Sequence, residues 1–165
     1  MSSQRFTFAS VPGSVDDLKR LPEADLQSPF KTAALALLAM MKYEENKEAC
    51  FEMLDFLKGP DTVSTYEKQF YQDRLVGKQY KIRSYFEGAT VQNGYVPTKP
   101  YAITVSDNPY SYTDENYATM YVTSAGADNP RGIKLRKKPS TGEWFYTELQ
   151  CLSDIRIPAN EDPWA

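Results

Sequence analysis

The chain has 165 residues, of which 41 % are hydrophobic and 25 % charged, and its formal net charge is −3. This composition is that of an ordinary globular protein, and the length is that of one domain, since domains usually contain about 100–200 residues. The sequence contains no histidine and only two cysteines, Cys50 and Cys151. It therefore excludes Ser/His/Asp and Cys/His nucleophile systems, and it predicts neither a metal site nor a bound cofactor.

The first half of the sequence predicts four helices, each beginning at a side chain that can cap the first turn. The capping residues are Ser14, Ser28, Asn46 and Ser64. The second helix, residues 30–42, carries apolar side chains on nearly every side, which is typical of a helix at the centre of a fold. We therefore assign the helical part to residues 1–76.

From Gly77 onward the sequence favours β-branched and aromatic residues, with turns rich in proline, asparagine and glycine. It predicts strands at residues 80–86, 101–105 and 117–123, and a hairpin that pairs residues 133–138 with residues 143–149. Helices followed by strands predict an α+β fold, in which three to four N-terminal helices pack on a C-terminal antiparallel β-meander. We expect a single domain over residues 1–165, with a β part at residues 77–152.

The tail, residues 153–165, is too rich in proline to form a helix or a central strand. It carries Trp164 near the end of the sequence, where residues are usually disordered unless they dock. We therefore expect Pro158 to Trp164 to pack back on the domain, with Ile155 and Ile157 as apolar anchors. The alternative is that the tail inserts into a neighbouring subunit.

The sequence shows no feature of secretion or of membrane insertion. Residues 1–13 contain no apolar stretch typical of a secretory signal. The longest apolar run, residues 33–41, is about half the length needed to cross a bilayer. We therefore predict a cytoplasmic protein with no membrane segment.

Six stretches of the chain resemble a family of uncharacterised bacterial proteins. They are SPFKTAALALLAMM, MLDFLKGP, YEKQFYQDR, ITVSDNPYSY, IKLRKKPSTGEWF and the ending SDIRIPANEDPWA. The likeness extends from about Phe6 to Ala165, and the closing SDIR…DPWA is its most specific part. The family is a domain of unknown function, so the resemblance implies a cytoplasmic bacterial domain and assigns no site residue.

Tyrosines are concentrated in the β part, where eight of the twelve lie between Tyr80 and Tyr121. Tyr110 and Tyr112 belong to a predicted loop, whereas Tyr117 and Tyr121 lie on one face of a predicted strand. High β-propensity on a half-exposed sheet is the ordinary explanation of such residues. Because tyrosine offers a large rigid contact area and is enriched at interfaces, we interpret these four residues as a binding surface. A protein partner, a second copy of the chain or a small ligand would fit it.

Positive charge is clustered in the predicted hairpin, at Arg131, Lys134, Arg136, Lys137 and Lys138. Lys134, Arg136 and Lys138 point to one face of the strand, where lysines often serve only to discourage edge pairing. In the functional interpretation, Arg136 and Lys138 extend the tyrosine surface or contact nucleic-acid phosphates. The acidic overall balance makes nucleic acid the less favoured partner.

A non-enzymatic binding module is therefore the preferred interpretation of the sequence, and two alternatives stay open. The first is a carboxylate-dependent hydrolase that uses acids of the predicted loops. These acids are Asp107, Asp114, Glu115, Asp128 and Asp154. Such an enzyme requires two carboxyl groups to converge in a cleft, one of them buried with a raised pKa. The second alternative is a weak nucleic-acid binder that uses the basic hairpin.

Overall fold

The computed structural model describes residues 1–165, and its five α-helices and five-stranded antiparallel sheet confirm an α+β fold. The strands are β1 (Ser3–Phe8), β2 (Tyr101–Ser106), β3 (Tyr117–Val122), β4 (Arg131–Lys138) and β5 (Glu143–Leu149). The helices are α1 (Val15–Lys19), α2 (Pro29–Met40), α3 (Lys47–Lys58), α4 (Thr65–Leu75) and α5 (Tyr80–Arg83). Every helix falls short of the length and apolar content that a membrane-spanning helix requires.

The first four helices begin at the capping residues that the sequence predicts. Ser14, Ser28, Asn46 and Ser64 each accept a hydrogen bond from a backbone N–H group of the first turn. At Ser64 the capping box is complete, because the Glu67 carboxylate accepts a hydrogen bond from the Ser64 N–H group in return. These bonds satisfy donors that have no partner within the helix.

α2 is enclosed on all sides, and ten of its twelve residues are buried. It packs against α3 and against strands β2 to β5. The hydroxyl of Thr32, a buried polar group within α2, donates to the Trp144 carbonyl oxygen of β5 at 2.7 Å. Around the helix, 40 buried side chains form one continuous hydrophobic cluster to which all five helices and all five strands contribute.

The strands follow one another in the sheet in the order of the sequence, β1 to β5. β4 and β5 form the expected hairpin, paired from Ile133–Leu149 to Lys138–Glu143. β2 and β3 share only two residue pairs, because the chain after α5 lies between their diverging ends. There the Glu87 N–H group donates to the Ala102 carbonyl oxygen.

β1 corrects the expectation that residues 1–76 are purely helical. Ser3 to Phe8 pair with β2 over six residues, from Ser3–Ser106 to Phe8–Tyr101. Phe6 and Phe8 point into the core, whereas the alternate residues are exposed. The partner strand lies almost a hundred residues further along the chain, so no local pattern connects the two.

The strand predicted at residues 80–86 is wrong, because this segment contains α5 instead. Its aromatic and β-branched residues fit a helical turn equally well, since Ile82, Tyr85 and Phe86 have the i, i+3, i+4 spacing of one helix face. All three are buried in the core. Tyr80 also stacks on Tyr95 with the ring centroids 5.7 Å apart.

The tail docks on the domain only as far as Ala159. Ile155 is buried, the Tyr95 hydroxyl donates to the Arg156 carbonyl oxygen at 2.7 Å, and the Ala159 N–H group donates to Val91. Beyond that point the expected packing is wrong, since the Trp164 side chain is 93 % exposed. Ile157 is also exposed and anchors nothing. A 3-10 turn follows at Ala159–Glu161.

Two truncations separate the docked part of the tail from its exposed part. Removal of residues 162–165 should change the melting temperature by no more than about 1 °C, because surface side chains contribute little to stability. Removal of residues 156–165 eliminates three hydrogen bonds to Tyr95, Val91 and Gly126. At about 1 kcal/mol each, their loss should lower the melting temperature by about 5–10 °C. Thermal unfolding followed by circular dichroism measures both, and equal melting temperatures would contradict the assignment.

Candidate functional site

The outer face of the sheet, which points away from α2, carries the tyrosines and cations of β3 and β4. Tyr117 lies opposite Arg136 and Thr119 lies opposite Lys134 across the two strands. The alternate residues of both strands point toward the core and are buried, except Arg131 and Lys137 near the two ends of β4, which are half-buried. This alternation is the one that the sequence predicts.

A cleft of about 350 Å³ opens at one end of the outer face, beside the β4–β5 hairpin. We call it the cationic cleft because of the cations that line it, and we define it by six of its lining residues. They are Pro60, Tyr117, Arg136, Lys137, Lys138 and Phe145. Arg136 faces Tyr117 on one neighbouring strand and Phe145 on the other. The register of the sheet therefore places one guanidinium between two aromatic side chains.

Three cations of the cleft, Arg136, Lys137 and Lys138, form no ion pair with any carboxylate. The Arg136 guanidinium lies 5.4 Å from the centroid of the Tyr117 ring, a cation–π contact that holds it at the cleft wall. Asp61 is the only acidic residue that lines the cleft. The cleft therefore carries an excess of positive charge.

Lys58 also lines the cleft, but its charge is already balanced. Its Nζ atom lies 2.9 Å from the Glu67 carboxylate and donates to the Thr147 carbonyl oxygen at 3.2 Å. The same atom lies 4.7 Å from the centroid of the Tyr146 ring. Lys58 is buried by these contacts, so it joins α3 and α4 to β5 rather than presenting a free cation.

Gly59 positions the aromatic wall on the Phe145 side. It ends α3 with φ at +69°, and a Cβ atom there would lie 2.5 Å from Phe145 Cδ1. Only glycine allows both this backbone conformation and such a close approach of the chain to the ring. The turn into Pro60 therefore packs directly on Phe145 and closes one side of the cleft.

The structure brings together three of the six predicted site residues, namely Tyr117, Arg136 and Lys138. Tyr121 is half-buried and lies four residues further along β3, outside the cleft. Tyr110 and Tyr112 lie in the loop between β2 and β3 and do not line the cleft either.

Tyr110 and Tyr112, the two loop tyrosines, differ in exposure and in hydrogen bonding. Tyr110 is 80 % exposed, whereas the Tyr112 hydroxyl donates to the Asp107 carboxylate at 3.2 Å. Asp107 also accepts a hydrogen bond from the Ser2 N–H group, so its carboxylate ties the loop to the start of the chain. Burial raises the pKa of the Tyr112 hydroxyl, with the Asp107 hydrogen bond acting in the same direction.

Sequence reasoning missed Phe145 and Pro60 as parts of the site. A signal for Phe145 exists, because it alternates with the inward-pointing Trp144 and Tyr146 and must therefore point outward. An outward phenylalanine directly opposite Arg136 marks an apolar spot on a polar face. Pro60 carries no such signal, since only the tertiary fold brings the end of α3 against β5.

The burial and the pKa shifts of the carboxyl groups do not favour general acid catalysis. No Asp or Glu side chain is buried. A backbone hydrogen bond from Gln27 lowers the pKa of Asp25, and a side-chain hydrogen bond from Arg5 lowers the pKa of Glu87. A carboxylic acid that acts as a general acid near neutral pH needs the opposite shift.

The thiols are equally unsuited to nucleophilic chemistry. Burial raises the pKa of Cys50 and of Cys151 to about 12. Both thiols are therefore protonated near neutral pH, and the thiolate is the reactive form. No group of three or more Cys, Asp or Glu side chains is arranged to hold a metal ion.

A family model described as a domain of unknown function (DUF6935) matches residues 10–159. The matched range includes the whole of the cationic cleft and every secondary-structure element except β1 and the last 3-10 turn. No curated protein and no solved structure matches the chain. The closing residues 160–165 lie outside the match, so the resemblance drawn from that ending stays a prediction.

Substitution of Gly59 tests how the cleft wall is built. Gly59→Ala should destabilise the protein by about 3 kcal/mol, because the left-handed backbone costs about 1–2 kcal/mol and the overlap with Phe145 adds a similar amount. Gly77→Ala is the matched control, since Gly77 also has a positive φ but no atom lies within 4 Å of its added Cβ. It should cost only about 1–2 kcal/mol. Equal costs in urea unfolding would show that Gly59 does not pack on Phe145.

Proposed function

We propose that this chain, which belongs to the DUF6935 family, is a non-enzymatic binding module whose cationic cleft takes an anionic ligand. The observation that carries the proposal is the pair of unpaired cations Arg136 and Lys138, which point to the same face of β4 and line, beside Lys137, one concave site with aromatic walls. Like charges side by side repel one another, and a bound anion removes that repulsion.

The form of the cleft indicates what kind of anion fits. Arg136 offers a planar fork of donors that matches the two oxygens of a phosphate or carboxylate. Tyr117 and Phe145 offer flat apolar surface to the rest of the ligand. A volume of about 350 Å³ lies within the range of small-molecule sites and also admits a short peptide segment.

A nucleic-acid strand is less well supported than a compact anion. Proteins that bind single strands track the backbone with an extended positive groove. On this sheet the other outward cations are paired, Lys134 with Glu148 at 3.6 Å and Arg5 with Glu87 at 2.6 Å. The unpaired charge is therefore confined to one end of the outer face, which favours a small anionic group.

The organisation of the chain belongs to the same proposal. The single hydrophobic cluster that all helices and strands share supports one domain over residues 1–165. The cytoplasmic location is proposed from the sequence, on the apolar run that is too short to cross a bilayer.

Binding of tripolyphosphate, measured by isothermal titration calorimetry at about 0.15 M salt, tests the cleft directly, because screening at that ionic strength suppresses distant charges. Arg136→Gln should weaken binding at least tenfold, since a charge-assisted hydrogen bond contributes about 1.5–3 kcal/mol. Lys134→Gln removes the same charge from the same face but outside the cleft, and it should weaken binding less than about threefold.

The outcomes separate this proposal from its rivals. No measurable binding to the wild type, or equal losses in both variants, would contradict a specific anion site. Affinity for a single-stranded oligonucleotide that grows with its length, and that falls equally in both variants, would favour the nucleic-acid alternative instead.

A further inference from the structure

The exposed end of the tail is ordered although its largest side chain touches nothing. The backbone is held by a hydrogen bond from the Ala159 N–H group to the Val91 carbonyl oxygen at 2.9 Å. Past the 3-10 turn, Asp162 accepts from the Trp164 N–H group at 2.8 Å and from the Ala165 N–H group at 3.2 Å. These bonds give the end of the tail a defined turn in which the Trp164 side chain is 93 % exposed and free to make contacts.

The chemistry of this turn complements that of the cationic cleft. Glu161 and Asp162 form no ion pair with any cation, and Trp164 follows them directly after Pro163. The cleft offers the opposite set, with Arg136 between two aromatic walls and Lys137 and Lys138 beside it. Tryptophan is the best aromatic partner for a guanidinium and is enriched among residues that dominate binding energy.

The tail does not line the cleft of its own chain. The tail lies at the start of β4, where Arg131 donates to the Asp154 carbonyl oxygen at 3.2 Å. The cleft lies at the other end of the same strand, at Arg136 to Lys138. Five to seven strand residues separate the two ends by about 17–23 Å, and the tail is fixed at Ala159. With the turn in this position, the cleft that receives it belongs to another molecule.

We propose that residues 161–164 of one copy occupy the cationic cleft of a second copy. This inference rests on the proposed function, because it names the occupant of that same cleft. Trp164 packs between Tyr117 and Phe145 of the second copy, where it meets the Arg136 guanidinium. Glu161 and Asp162 face the outward-pointing Lys138, with Lys137 beside it.

The contact joins two different surfaces, so each copy keeps one free tail and one free cleft. Assembly by such a heterologous contact continues along a chain of copies or closes into a ring, instead of stopping at a symmetric dimer. It also predicts that a defect in the tail and a defect in the cleft can complement each other when they lie on different molecules.

Sedimentation velocity with complementary variants tests this. The wild type should show a mass that rises with concentration, whereas Trp164→Ala and Arg136→Glu should each remain monomeric. An equimolar mixture should form a dimer in which the intact tail of Arg136→Glu occupies the intact cleft of Trp164→Ala. Its dissociation constant should be at least tenfold lower than that of either variant alone. Lys134→Glu, with the same charge change outside the cleft, should associate like the wild type.

Any one of three results would overturn the inference. These results are a wild type that stays monomeric up to about 1 mM, a Trp164→Ala variant that associates as the wild type does, and a mixture that stays monomeric. Because both altered residues lie on the surface, unchanged melting temperatures identify the loss as one of contact. If tripolyphosphate still binds while the mixture stays monomeric, the anion site stands and only its proposed occupant is wrong.

Discussion

The complete burial of α2 determines which surface of the sheet is free to bind. The helix packs against strands β2 to β5 and so takes up the inner face of the sheet. Both backbone polar groups of Trp144 in β5 form hydrogen bonds outside the sheet. Its N–H group donates to the Leu26 carbonyl oxygen, and its carbonyl oxygen accepts from the Thr32 hydroxyl. The edge strand is thereby fixed to the helical part of the chain. The outer face, where tyrosines and cations alternate with the buried residues, stays open and carries the proposed binding site.

Charge pairing, more than charge number, sets the character of that outer face. The whole chain carries a net charge of −3, yet this excess is spread over the surface. At physiological ionic strength exposed charges more than about 8 Å apart are largely screened from one another. Lys58 and Lys134 are neutralised by Glu67 and Glu148, which leaves the three cations of the cleft to act together. A chain that is acidic overall therefore presents a local excess of positive charge, on which the proposed anion site rests.

Local features of the sequence predict the elements that depend on local chemistry. The helix caps at Ser28 and Ser64 and the β4–β5 hairpin are all present, because side chain and backbone interact within a few residues there. The strand alternation likewise placed Tyr117 and Arg136 on one face. By contrast, β1 is defined by a partner about a hundred residues away, and α5 by the buried surroundings of its aromatic residues. The cleft also needs Pro60 and Phe145, which meet only after α3 has packed on β5, so spacing alone could not reveal it.

Mapping tripolyphosphate onto the wild-type protein by NMR tests the central claim most directly. The amide signals of Tyr117, Phe145 and residues 136–138 should shift together and saturate at one concentration, while those of Tyr110, Tyr112 and Tyr121 stay in place. That result would locate a single anion site at the end of the outer face. Shifts scattered over the basic residues, or centred on Lys134, would contradict it.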